Sequence, residues 1–201
     1  MSGTVSSQAL SDWTGGRQQR LDDLLRAHSA LGGSGPGRRW RTEQLNWALV
    51  LRLAGEFQGF ARDLHDEASD FFAIHGSGLN SALELQLRIL LTDRRQLDRG
   101  NAHPGNLGED FGRLGIKLWP ALRLLSTRAG EWNQRLTALN DARNAIAHDD
   151  VTKLAAIHNS GYNVGLLTTM RKFHTTTSQL TRAMDRVVGD HLNALFGGRP
   201  W

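Results

Sequence analysis

From Trp40 to His75 an apolar residue returns every three or four positions, at Leu45, Leu49, Leu53, Phe57, Phe60, Leu64, Ala68 and Phe71. That period is the α-helical one, and it runs far beyond the length of an average helix. Trp47, Val50 and Ala54 add a second apolar stripe in the first half, so the helix is expected to pack against neighbours on two sides, with Thr42 as its N-cap. A helix of this length with two apolar faces places the chain in the all-α class, with other helices gathered around a central one.

The remaining segments follow the same period. Leu21, Leu24, Leu25 and Leu31 mark an amphipathic N-terminal piece after Gly15-Gly16, and GGSGPGR at 32–38 reads as a linker. We therefore expect residues 1–39 to be a helical arm with a Gly-rich linker and residues 40–201 to be the bundle proper. GSG at 76–78 ends the central helix, and a third helix is expected from Leu79 to about Arg99. LELQLRI alternates with period two, but twenty residues poor in β-branched side chains favour helix over strand. NAHPGNLGEDFG reads as a loop, and IKLWPALRLL as a short helix opening at Pro120. Trp132, Leu136 and Leu139 begin another helix, 151–163 reads as a connection, and Leu166, Met170, Phe173, Leu180, Met184, Val187 and Leu195 mark a last helix stopped by Gly197-Gly198. The expectation is an antiparallel bundle of five to six helices.

Composition removes several function classes. With no cysteine there is no disulfide framework or thiolate metal site. No apolar stretch reaches membrane-spanning length and no targeting segment opens the chain, so a soluble, cytoplasmic protein without membrane contact is expected. The net charge is +4, carried almost entirely by arginine, since only Lys117, Lys153 and Lys172 are lysines. Arginine's fork suits phosphate. A GC-rich genome produces the same excess, so the charge permits a nucleic-acid partner without arguing for one. The six tryptophans are read as core or interface anchors.

The chemically suggestive stretch is LNDARNAIAHDD at 139–150. At 100° per residue Asp141, Asn144 and His148 share a helix face, while Arg143 is 140° from His148, so the two converge only through arginine's reach, a helix ending near His148, or a partner subunit. Aspartates at 149 and 150 oppose the dipole of a helix ending there, which hints at a demand other than helix stability. The Arg-x(4-6)-His spacing also occurs at Arg186 to His191, where His191 falls near an apolar stripe and is read as a packing residue.

The stretch resembles the Arg-Asn-x-x-Ala-His segment of HEPN domains, a family of helical bundles, including its place before the last long helix. The resemblance is close over about twelve residues and extends in helix order over residues 40–196. It implies a HEPN-like fold and a metal-independent endoribonuclease of toxin or defence type, with no cofactor. Arg143, Asn144 and His148 would form a composite site at a homodimer interface, with RNA as substrate and an antitoxin as a further partner. Asp141 and Glu56, the latter beside Arg52 at i−4, are supporting candidates, against a surface ion pair for Glu56. Asp150 stands where members paired with nucleotidyltransferase antitoxins carry tyrosine, so modification by such a partner is not implied. The alternatives are a non-catalytic dimerisation or RNA-binding module and a metal-dependent HD-type phosphohydrolase using His103, His148-Asp149 and Asp185.

Overall fold

The computed structural model describes residues 6–31 and 39–201, and all regular structure among them is helical. The linker segment 32–38 lies outside the described residues, as do residues 1–5 and the side chains of Ser29, Leu31, Arg39, Trp40 and Arg41. In chain order the helices are α1 (Gln8–Asp12), a π-helical turn (Trp13–Arg17), α2 (Gln18–Leu31), α3 (Arg39–Gly76), α4 (Ser81–Thr92), α5 (Gln96–Arg99), α6 (Pro104–Arg113), α7 (Leu118–Leu125), α8 (Ala129–Ala147), α9 (Val151–Asn159) and α10 (Leu167–Phe196).

These are more segments than the five or six expected, and each departure has a local cause. The stretch read as a loop contains α6: His103 accepts the Gly105 N–H as N-cap, Pro104 takes the first turn, and Leu107 and Phe111 bury one face. The expected connection at 151–163 contains α9, capped by Asp150. The expected third helix breaks at Asp93 and Arg94, the latter at φ 52°, before α5 begins. Thr42 lies inside α3, not at its N-cap, and α7 starts two residues before Pro120. The last helix ends as expected, with Gly197 left-handed at φ 71°.

Helix α3 is central, packed by α1, α4, α8 and α10. Phe57, Phe60, Ala61, Leu64 and Ala68 are buried along it, against Leu136, Leu139, Phe173, Leu180 and Met184 of α8 and α10. The N-terminal arm belongs to this core. Trp13 is fully buried and meets Phe57 and Phe60 edge-on at centroid distances of 6.3 and 5.9 Å. The π-helical turn brings Arg17 against α3 where Gly59 leaves room: a Cβ at residue 59 would lie 2.2 Å from Arg17 Nη1. Arg17 donates to Glu56 and Asp63, and Ser7 Oγ donates to Asp185 of α10 at 2.5 Å. Residues 6–31 are thus joined to the bundle by apolar and charged contacts alike.

Two imidazoles, those of the buried His65 and the partly buried His174, are held below their ordinary range. Around His65, Nε2 donates to the Asp110 carbonyl at 3.1 Å and Nδ1 faces Arg95 Nη1 at 3.2 Å. Burial pushes the His65 imidazole below its ordinary range, and the Arg95 charge adds to this. His174 is lowered by burial too, against the opposing pull of Asp22. The unfolded chain takes up these protons near pH 6.5 while the folded chain resists, so stability falls as pH drops below that value. Burial raises Glu67 and Asp185, which works in the opposite sense only within the carboxylate range. Thermal melts should therefore show a lower Tm at pH 5.5 than at pH 7.5. A flat profile would mean that these imidazoles ionise freely in the fold.

Candidate functional site

Helix α8 turns Leu136, Leu139, Ala142 and Ala145 into the core, which leaves Asp141, Arg143 and Asn144 toward the surface. Arg143 and Asn144 line a polar cleft of about 510 Å3 together with Gln58, Asp98, Arg99, Gly100, Asn101, His103 and Asn106. The cleft wall from 97 to 103 is held by side-chain amides. Gln58 Nε2 donates to the Leu97 and Gly100 carbonyls at 3.0 and 2.7 Å. The buried Asn140 donates to Ala102 O at 3.2 Å, and Asn106 to Asn101 O at 2.8 Å.

Asn144 closes this arrangement. Its Oδ1 accepts from Asn101 Nδ2 at 2.6 Å and from Arg143 Nη1 at 3.1 Å, which leaves its N–H2 donors as the part able to meet an anion. The charge balance favours one. Asp98 is engaged by Arg62 and Arg95, at 3.2 and 2.9 Å, whereas among the described residues no carboxylate forms an ion pair with Arg99 or Arg143. Two guanidinium groups, three asparagine amides and the His103 ring therefore face a cleft whose one acid is neutralised. The Nδ1 of His103 accepts the Gly105 N–H at 3.3 Å.

His148 is the C-cap of α8 and is exposed, so the helix does end at the histidine, as the sequence suggested. It is not among the residues lining the cleft, and neither is the exposed Asp141. The helix closes in a Schellman arrangement: Asp150 N–H reaches Ala145 O at 2.8 Å, Asp149 N–H reaches Ile146 O at 3.3 Å, and Asp149 is left-handed at φ 52°. The puzzle of two acids at a helix C-terminus is resolved by Asp150, which caps the next helix by accepting the Lys153 N–H at 3.0 Å. Asp149→Gly should therefore be neutral or stabilising by up to ~1 kcal/mol, and Asp149→Val should cost about 1–2 kcal/mol, both read by urea unfolding. Equal stabilities of the two variants would contradict the left-handed assignment.

Glu56 does not reach the cleft. It is 5% exposed and is surrounded by Arg17, Arg20 and Arg52, at 3.1, 3.0 and 2.5 Å. Burial alone would raise its carboxyl, but hydrogen bonds from Arg20 and Arg17 and the Arg52 charge hold it below the ordinary range. It is an anchor for the arm, which neither sequence expectation for it included.

The metal-dependent alternative loses its ligand set. Asp185 is buried and accepts from Ser7, and among the described residues no group of three or more His, Asp or Glu side chains is placed to hold a metal ion. Nor is any described helix long and apolar enough to cross a membrane. Comparison with family models, characterised proteins and solved structures finds no match to this chain.

Proposed function

We propose that the chain is a metal-independent endoribonuclease of toxin or defence type, with Arg143, Asn144 and His148 as its reactive residues and a pair of chains as its active form. One observation carries the reading: a cleft with two guanidinium groups unmatched by carboxylate, beside an asparagine amide fixed by its neighbours, on the same helix that ends in an exposed histidine. In this chemistry a neutral imidazole takes the proton of the RNA 2′-hydroxyl as that oxygen bonds to phosphorus. An imidazolium returns a proton to the departing 5′-oxygen, and arginine stabilises the pentacoordinate phosphorane. A second chain would bring a second His148, one for each proton transfer.

The test is incubation of the purified protein with RNA in excess EDTA, followed by analysis of the product ends. Cyclic 2′,3′-phosphate and 5′-hydroxyl ends support the reading. The second reading is a non-catalytic RNA-binding or dimerisation module. It is favoured by the position of His148 outside the cleft lining and by the structural use of Asn144 Oδ1 in holding Asn101. RNA retained without cleavage, with or without divalent metal, would select it.

A further inference from the structure

The amides that hold the cleft wall all present the same kind of atom to the cleft. Gln58 Nε2 is fixed by the Leu97 and Gly100 carbonyls, and Asn106 Nδ2 by the Asn101 carbonyl. A carbonyl only accepts, so in both side chains the nitrogen end is spent on the wall. Asn101 is fixed by a relay: Arg143 can only donate, so the Asn144 atom it meets is Oδ1, and the Asn101 atom 2.6 Å from that oxygen is Nδ2. Each of the three amides is left with its oxygen. None of these oxygens has a partner among the described residues and none is buried, so they open on the cleft that their residues line. Asp98 adds a carboxylate whose oxygens keep lone pairs beyond those used by Arg62 and Arg95. The cleft thus carries two sets of groups: donors on Arg99, Arg143 and the Asn144 amide, and fixed acceptors on Gln58, Asn101, Asn106 and Asp98.

We propose that the cleft selects guanosine in the RNA strand, with the fixed acceptors taking the N1–H and the N2 amino group of the base while Arg99 and Arg143 hold the neighbouring phosphate. The inference rests on the endoribonuclease reading for its class of ligand and goes beyond it in naming the base. Guanine is the RNA base whose pairing edge carries three N–H bonds side by side. Uracil offers one N–H between two carbonyl oxygens, and adenine and cytosine each offer an amino group beside an unprotonated ring nitrogen. Against a wall of oxygens those further acceptors repel, and both sides lose the water that had satisfied them. Rejection of the wrong base is the stronger effect, because a site of fixed polar groups is left unpaired by it. Size agrees, since about 510 Å3 is the scale of a site for one small ligand such as a nucleotide. The His103 ring, which also lines the cleft, supplies a flat surface on which a base stacks. Phosphate contacts carry no sequence information, so the selectivity falls to the amides.

The test uses the full chain in EDTA and a set of hexanucleotides of 2′-O-methyl ribose, uridine throughout except at one central position that carries each base in turn. These strands lack the hydroxyl that attacks, so fluorescence anisotropy reads binding without cleavage. The guanosine strand should bind at least ~10-fold more tightly than the all-uridine strand, with inosine, which lacks the N2 amino group, between them. Asn106→Ala should shrink that ratio at least ~3-fold, the loss falling on the guanosine strand. A merely structural contact would weaken every strand by one factor and leave the ratio alone. Arg99→Gln should do just that, as the loss of a phosphate contact. Equal binding of all the strands would overturn the inference, and so would a ratio that Asn106→Ala leaves untouched. Cleavage of unmodified RNA without a base preference in binding would remove the guanosine site and leave the endoribonuclease standing, whereas preference without cleavage would do the reverse. A chain that binds none of the strands at tens of micromolar has no such site.

Discussion

Arg143→Ala is expected to lower the rate of RNA cleavage by at least ~100-fold, and His148→Ala by a similar factor, with folding almost untouched. The kinetic loss follows from the chemistry: removing one preorganised charge donor costs about 10²–10³ in rate, and removing a general acid or base about 10²–10⁴. Folding is spared because neither side chain supports the core. His148 is exposed, and Asn101 still holds Asn144 when Arg143 is gone. Changes in stability should stay within about 0.5 kcal/mol, as for other surface positions. Wild-type rates in both variants would remove these residues from the site. Inactivity of the wild type itself would instead favour the binding module, so the two failures are distinguishable.

Trp13→Ala is expected to destabilise the whole chain by about 3–5 kcal/mol, a loss typical of deleting a large aromatic from a packed core. For a chain of this size that corresponds to a fall in Tm of roughly 6–20 °C. Trp13 is fully buried between Phe57 and Phe60 of the central helix, so its removal opens a cavity that the aromatic pair cannot close. Trp13→Phe should cost much less, since the indole nitrogen makes no hydrogen bond and only volume is lost. A detachable arm would behave differently: truncation at Trp13 would cost under ~1 kcal/mol and leave the bundle's unfolding unchanged.

How much of this was legible in the sequence depended on whether the signal was local. The 3.6-residue periods of α3 and α10 were strong enough to be read directly, and the helix end at His148 was visible from its flanking residues. Helix α6 was hidden by composition. Its glycines and asparagine suggest a loop, and what makes it helical is tertiary: Leu107 and Phe111 bury their face, and Asp110 accepts the N–H groups of Gln96 and Leu97 at 2.8 and 2.7 Å. The period-two look of α4 has a comparable origin, because the helix is apolar on its outer face as well as toward Leu91.

The site was half legible. Arg143 and Asn144 were marked by their own stretch, whereas Gln58, Arg99 and Asn101 join them only through folding and carry no local motif. His103 was noticed for a metal chemistry that the structure does not assemble, and it turns out to line the cleft instead. Glu56 could be matched in sequence only to Arg52, one turn away. Its other partners, Arg17 and Arg20, lie 39 and 36 residues upstream, a separation that helical periodicity cannot bridge.

The middle of α3 has a dynamic consequence. Within two turns, Glu56, Gly59 and Asp63 receive Arg17 from the arm, while Gln58 and Arg62 grip the Leu97 carbonyl, with Gln58 also holding Gly100. Fraying of these two turns would release the N-terminal segment and the cleft wall together. In hydrogen-exchange terms the two regions form one cooperative opening unit although they are about eighty residues apart in sequence, so their amides should share a single opening free energy.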